Sequence, residues 1–209
     1  MATDELQEEN KFPEDPGVTD IAFVVEGKRV HTIKAILACA SPVFKSMFNL
    51  DFKEKYASEI DLPGKKHDAF VKFLKCIIPI DYLELDGNTI GEILPLAKEY
   101  RVNAIIKECE AWLLKEIERR EFVKNMEISR EGKSEFLLRC YYYSCEYNLT
   151  KLHDRTFKKL FKFQFNSYKD SEFYALLSDK NKIELLEKRV SNLDDTISRK
   201  RDTSHLMYS

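Results

Sequence analysis

Glycine and proline are both scarce, six of each in 209 residues, and the glycines are scattered. No glycine-rich loop can be assembled from them to cradle a phosphate, which removes the P-loop and dinucleotide-binding classes. There is no HExxH helix and no EF-hand spacing. His31, His67, His153 and His205 are isolated from one another, so no metal site and no cofactor are expected. The five cysteines, Cys39, Cys76, Cys109, Cys140 and Cys145, are odd in number and contain no CxxC pair. Cys39, Cys76 and Cys109 lie among apolar helical residues. They read as buried thiols of a chain in a reducing intracellular compartment, cytoplasmic and/or nuclear. A thiol nucleophile needs a neighbouring His, and nothing in the sequence supplies one. Catalysis is therefore not expected. Neither sign of charge dominates: 34 basic residues face 36 acidic ones, for a net charge of −2. That balance argues against a nucleic-acid surface as the main function. No apolar run approaches the roughly 20 residues that span a bilayer, so no membrane partner is expected. The acidic start MATDELQEENKFPEDPG reads as neither signal nor transit peptide.

What is present is concentrated first in Asp20 to Phe48, DIAFVVEGKRVHTIKAILACASPVFKSMF. Ile21 to Val25 is a short run of strand formers. Glu26-Gly27-Lys28 is a turn signal, and Arg29 to Thr32 can return as the second strand of a hairpin. Ile33, Ile36 and Leu37 then recur at helical spacing. Ser41-Pro42 opens a second helix, with Ser as its cap and Pro at the first helical position. Val43, Phe44, Met47 and Phe48 share one face of it.

The pattern D-I-x-F-x-V-x-G, followed by Lys34, Leu37-Ala38, Ser41-Pro42-Val43-Phe44 and Met47-Phe48, resembles the opening of a BTB (POZ) domain. One departure is visible. Many members carry His before the Lys, where Ile33 stands here, with His31 two residues earlier. The variant is similar to the BTB proteins numerous in nematodes. The resemblance implies an α+β fold, a small β-sheet with a cluster of helices, and assigns Asp20, Ser41, Phe44 and Met47 to the family motif and dimer face. A BTB homodimer or heterodimer is an implied partner state.

Residues 1–17 read as a flexible leader, since Pro13 and Pro16 break any helix there. The BTB domain is expected over 18–118. Within it, Glu59 to Leu62 alternates as a half-buried strand. Ala69, Phe70, Phe73, Leu74 and Ile77 mark a helix that stops near Pro79. Thr89 and Glu92 fit a capping box for the next helix, in which Pro95 should cost stability or introduce a kink. Residues 119–133 read as a linker, 134–190 as a helical region similar to the BACK-like pairs that follow BTB domains, and 191–209 as a C-terminal tail with a disordered end. An internal echo links the halves. Glu99, Tyr100, Val102, Ile105 and Leu113 match Glu146, Tyr147, Leu149, Leu152 and Leu160 at one constant separation, which predicts helix, short turn, helix in both places.

Three surfaces remain for partners. Phe52-Lys53-Glu54 resembles, in the same register, the hydrophobic-x-Glu motif that follows the Ser-Pro helix in BTB adaptors of cullin-3 ubiquitin ligases. The resemblance implies a cullin-3 contact through Phe52 and Glu54 with Leu50, Ile78 and Tyr82. Ile78 stands where the family usually has Tyr; it keeps apolar contact but lacks the hydroxyl. The aromatic-rich second region, Tyr141 to Tyr174, is either a core with amphipathic rims or a surface for an unknown client. No MATH, Kelch or zinc-finger client module is visible. Ile183, Leu186, Val190, Leu193 and Ile197 form a heptad-type stripe of about two heptads, read either as a helix docked on its own domain or as a contact with a second chain. The functional expectation is a substrate adaptor of a cullin-3 RING ubiquitin ligase, or else a BTB oligomerisation scaffold without a ligase.

Overall fold

The hairpin forms for local reasons. β1 (Ile21–Val25) and β2 (Lys28–Thr32) pair antiparallel with Val25 opposite Lys28. Glu26 and Gly27 between them have φ of 52° and 76°, the two positive values that a tight I′-type turn requires. The computed structural model describes residues 12–49, 56–78, 83–122 and 130–206. α1 (Lys34–Ala40) and α2 (Pro42–Asn49) follow the hairpin. β3 (Glu59–Asp61) then lies parallel to β1, with Ile60 opposite Phe23, giving the order β2-β1-β3. A parallel neighbour needs a crossover, and the α1–α2 segment lies within it. α3 (His67–Ile77), α4 (Gly87–Glu99) and α5 (Asn103–Phe122) complete the run. The chain divides into two compact units, 1–109 and 110–209.

Aromatic rings fill the first unit. Phe23, Phe44, Phe70 and Phe73 are fully buried. Tyr100, at the end of α4, stacks on Phe44 with centroids 4.4 Å apart and on Phe73 at 5.6 Å. Phe23 meets Phe44 at 5.7 Å and Phe70 edge-on at 5.3 Å. Such pairs add about 0.5–1.5 kcal/mol each beyond area burial.

In the second unit, α6 (Arg130–Tyr147) packs with α7 (Thr150–Leu160). A 3₁₀ turn (Phe165–Ser167), α8 (Glu172–Leu176) and the long α9 (Asp179–Leu206) follow. Glu110 caps α7, accepting from the Leu152 amide at 3.2 Å. Glu116 holds Arg119 at 2.6 Å and Arg120 at 2.7 Å. Arg120 in turn lies 3.9 Å over the Phe136 ring. The aromatic-rich sequence serves mainly as core: Tyr141, Tyr143 and Tyr168 are buried, and Tyr142, Tyr147, Phe157 and Phe173 are half-buried.

The internal echo is a repeated backbone device. α4 ends in Tyr100-Arg101 and α6 in Tyr147-Asn148, and Arg101 and Asn148 both take the left-handed conformation, φ 53° and 55°. The next amide closes the turn in each case: Val102 N–H donates to the Ala97 carbonyl (2.8 Å) and Leu149 N–H to the Ser144 carbonyl (3.0 Å). Those bonds satisfy carbonyls that a helix end otherwise leaves open. Val102, Ile105 and Leu113 are buried, as are their counterparts Leu149, Leu152 and Leu160.

Several expectations are corrected. Phe12, inside the supposed flexible leader, is only 3% exposed, and its carbonyl accepts from the His31 amide at 3.1 Å, so the chain is tied to β2 before residue 17. The Asp86 carboxylate caps α4 by accepting from Asn88 N–H (2.8 Å) and Thr89 N–H (2.7 Å), so the helix starts before the Thr89–Glu92 box. Glu92 instead meets Lys72 of α3 at 2.5 Å. Pro95 lies inside α4, as expected. Helix occupies 119–122 and 130–133, narrowing the expected linker, and α9 continues to Leu206 through most of the expected tail. Cys39 is exposed because α1 turns Leu37 inward instead.

Two outcomes follow from these ends. A left-handed residue with a Cβ is strained by roughly 1–2 kcal/mol, less for Asn than for Arg. Arg101→Gly should therefore raise stability to urea by about 0.5–1 kcal/mol, while Asn148→Gly should change it by less. Asp86 is held below the ordinary carboxylate range, first by the Thr89 amide and also by the Asn88 amide. Its contribution is present above the unfolded pKa of about 3.9 and is lost as pH falls from there through the lower folded value. Asp86→Asn keeps a capping oxygen, so neutral-pH stability should hold while the acid limb of the stability curve becomes shallower.

Candidate protein-interaction surface

The sequence motif is, first, a set of ties that hold the first unit. Asp20 ends the chain's approach to β1, and its Oδ1 accepts from the Lys34 amide at 2.7 Å. It thereby caps α1 from fourteen residues away in sequence, where the local N-cap Ile33 has no side-chain oxygen to offer. Lys34 reaches back with its ammonium to the Ala57 carbonyl at 2.9 Å, just before β3. Ser41 faces both ways. Its Oγ accepts from the Phe44 amide (3.0 Å), as its N-cap position requires, and its hydroxyl donates to the Tyr100 carbonyl at 2.5 Å. Phe44 presses on the ring of that same Tyr100. Ser41 and Phe44 are enclosed by their own unit, Met47 is half-buried, and Asp20 is exposed. Of the four motif residues, Asp20 and Met47 alone reach the surface.

A further tie was not legible in the sequence. The Glu26 carboxylate, at the hairpin turn, accepts from the His67 amide at 2.9 Å and so caps α3. No local signal announces it, because the partner lies forty-one residues on. The contacts of Tyr100 with Ser41 and Phe44 carry no local signal either.

Among the residues expected to face a partner, Ile78 is half-buried at the extended C-cap of α3, its amide donating to the Leu74 carbonyl at 2.7 Å. Leu50, Phe52, Glu54 and Tyr82 lie outside the described residues. The flanks of that stretch are described. α2 ends at Asn49, and Tyr56, immediately after it, is 80% exposed.

Titration chemistry points away from a nucleophile. Burial pushes the Cys76 thiol up to about 11, and Cys109 and Cys140 up to about 12, so all three stay protonated near neutrality. Among the described residues no group of three His, Cys, Asp or Glu side chains could hold a metal ion, and no helix is long and apolar enough to cross a membrane. In the second unit an open cavity of about 470 Å³ has apolar walls of Ile117, Phe136 and Phe163 and a rim that includes Arg120, Lys159 and Lys162.

This frame has relatives. The family model for the BTB/POZ domain matches residues 10–117, and the chain belongs to that family. It is 32% identical over 97 residues to the BTB and MATH domain-containing protein 36 of Caenorhabditis elegans, a match covering 46% of this chain and 30% of the relative. Against the BTB and MATH domain-containing protein 38 of the same nematode it is 26% identical over 171 residues, 82% of this chain and 40% of the relative. Kelch-like protein 15 of Gallus gallus is 32% identical over 98 residues, 47% of this chain and 20% of its own length. The chain thus spans less than half the length of these relatives. Among solved structures, the BTB domain of human gigaxonin is similar at 22% identity with a TM-score of 0.40, covering 46% of this chain and 79% of that one. The nematode resemblance expected from the Ile33 variant is matched by these relatives.

Ser41→Ala removes a helix cap and leaves the Tyr100 carbonyl without its hydroxyl partner. It should lower stability by about 2–3 kcal/mol in urea unfolding, whereas Met47→Ala should cost less than Ser41→Ala.

Proposed function

We propose that this chain is a protein-interaction module that serves as a substrate adaptor of a cullin-3 RING ubiquitin ligase. One observation carries the proposal: BTB family membership across 10–117, with Phe52-Lys53-Glu54 standing just beyond the helix that Ser41 caps, the register in which the resembled adaptors carry their hydrophobic-x-Glu motif. Similarity to Kelch-like proteins supports the interaction role. In this reading Phe52 supplies buried apolar area at the scaffold contact, about 1.5–3 kcal/mol if fully covered, and Glu54 accepts hydrogen bonds there. Leu50, Ile78, Tyr82 and the exposed Tyr56 border the contact. The second unit holds the client, for which the cavity beside Phe136 and Phe163 offers apolar walls within a largely basic rim. The chain performs no chemistry itself. It raises the concentration of a client beside the ubiquitin-loading machinery.

Ile78 favours a second reading. An aliphatic residue where the adaptors place a tyrosine removes a hydrogen bond from the scaffold contact and suits a BTB module that pairs with itself or another BTB protein without a ligase. Direct binding of the purified chain to the N-terminal region of cullin-3 separates the two. The adaptor reading expects micromolar or tighter binding, weakened about tenfold or more by Phe52→Ala or Glu54→Lys with the fold unchanged by circular dichroism. A folded wild type that does not bind leaves the pairing module. Binding indifferent to both substitutions moves the contact elsewhere.

A further inference from the structure

Helix α9 gives only one face to its own unit. Leu185 is fully buried, the Asn181 carbonyl meets the Tyr141 hydroxyl at 3.5 Å, and the Arg189 guanidinium donates to the carbonyls of Phe161 (3.2 Å) and Phe163. The apolar stripe found in the sequence is on a different face. Ile183, Val190, Leu193 and Ile197 are 55%, 57%, 45% and 49% exposed, and Leu186 between them is half-buried. A docked helix would hide these residues, and this one does not.

The identity of each residue in the stripe says what covers it. With Ile183 at heptad position a, the a positions are Ile183, Val190 and Ile197, all β-branched, and the d positions are Leu186 and Leu193. β-Branched a with leucine d is the combination that favours two parallel strands. The flanks carry the complementary charges. Lys182 and Arg189 fall at g, Glu187 and Asp194 at e, and both acids are exposed. In a parallel pair, g of one helix meets e of the next heptad on the other, so Lys182 faces the partner's Glu187 and Arg189 faces the partner's Asp194, each twice by symmetry. In an antiparallel pair g meets g and e meets e, and every such contact sets like charges together. The two basic residues already have local contacts that fix them along this flank. Lys182 Nζ donates to the Ala175 carbonyl at 3.1 Å. Arg189 uses Nη1 on its two carbonyls, and a guanidinium has donors on two further nitrogens.

We propose that α9 pairs with the same helix of a second copy of this chain, as a parallel two-stranded coiled coil over residues 182–197. The stripe is short, so the pairing is weak and concentration-dependent. It is independent of the scaffold contact and involves no residue of the BTB motif.

The test uses the full chain in sedimentation velocity and amide hydrogen exchange between about 5 and 500 µM, a range over which a weak dimer grows by mass action. The wild type should form dimers, and exchange across 183–197 should slow several-fold as concentration rises. Val190→Lys, an exposed position whose change leaves the fold intact, should abolish that protection. The double variant Glu187→Lys with Asp194→Arg turns attraction into repulsion only in the parallel arrangement, since an antiparallel pair sets like charges together before and after the change, and should weaken pairing about tenfold or more. Exchange in this segment that ignores concentration overturns the proposal, even if the chain dimerises elsewhere. So does a double variant that pairs like the wild type, or assembly of the stripe into trimers.

Discussion

The bond between the Ser41 hydroxyl and the Tyr100 carbonyl fixes the geometry on which the first unit depends. It joins the start of α2 to the end of α4 across fifty-nine residues, and it is buried, where a hydrogen bond is strong and its loss costly. Ring stacking lies directly beside it: Phe44, one turn along α2, covers the ring of the same Tyr100. Phe23, Phe70 and Phe73 close around that pair from the sheet and from α3. Polar tie and aromatic packing therefore specify one register. A slide of α2 by a single residue would break the hydroxyl bond and unstack the ring together. Burial also pushes the Tyr100 phenol well above its ordinary range, so its ring packs as a neutral group throughout ordinary conditions.

What could be read in the sequence was what is settled by near neighbours. The hairpin turn, the Ser41-Pro42 helix start and the repeated helix–turn–helix all rest on residues a few positions apart. The Tyr-Arg-Val and Tyr-Asn-Leu turns share a backbone shape although only tyrosine is common to both. What could not be read was decided at a distance. Asp20 and Glu26 cap helices far along the chain, and Asp86 prevailed over the Thr89–Glu92 box because a carboxylate at the first non-helical position reaches two open amides at once. The start of the expected linker, 119–122, is helical for a different reason: it is charged, yet Glu116, Arg119 and Arg120 support a helix by pairing along it.

The interaction surface was legible to a different degree from the fold. Asp20, Ser41 and Phe44 stand out in the sequence through the resemblance they carry, and their contacts show what these residues maintain: a capped α1, a capped α2 and a closed aromatic core. The exposed stripe of α9 was visible as spacing alone. Its sidedness required the structure, because periodicity reports that a face is apolar and not which neighbour it meets.

The two remote caps give the hairpin a place in the dynamics of the unit. Asp20 enters β1 and Glu26 leaves it, and each holds the first turn of a different helix. If the hairpin lifts from the sheet, both α1 and α3 lose their caps in the same event. The hairpin and those two helix starts thus form one cooperative opening unit, in which local fluctuations are tied together by two carboxylates, and a disturbance at the turn is felt at helix ends on either side of β3.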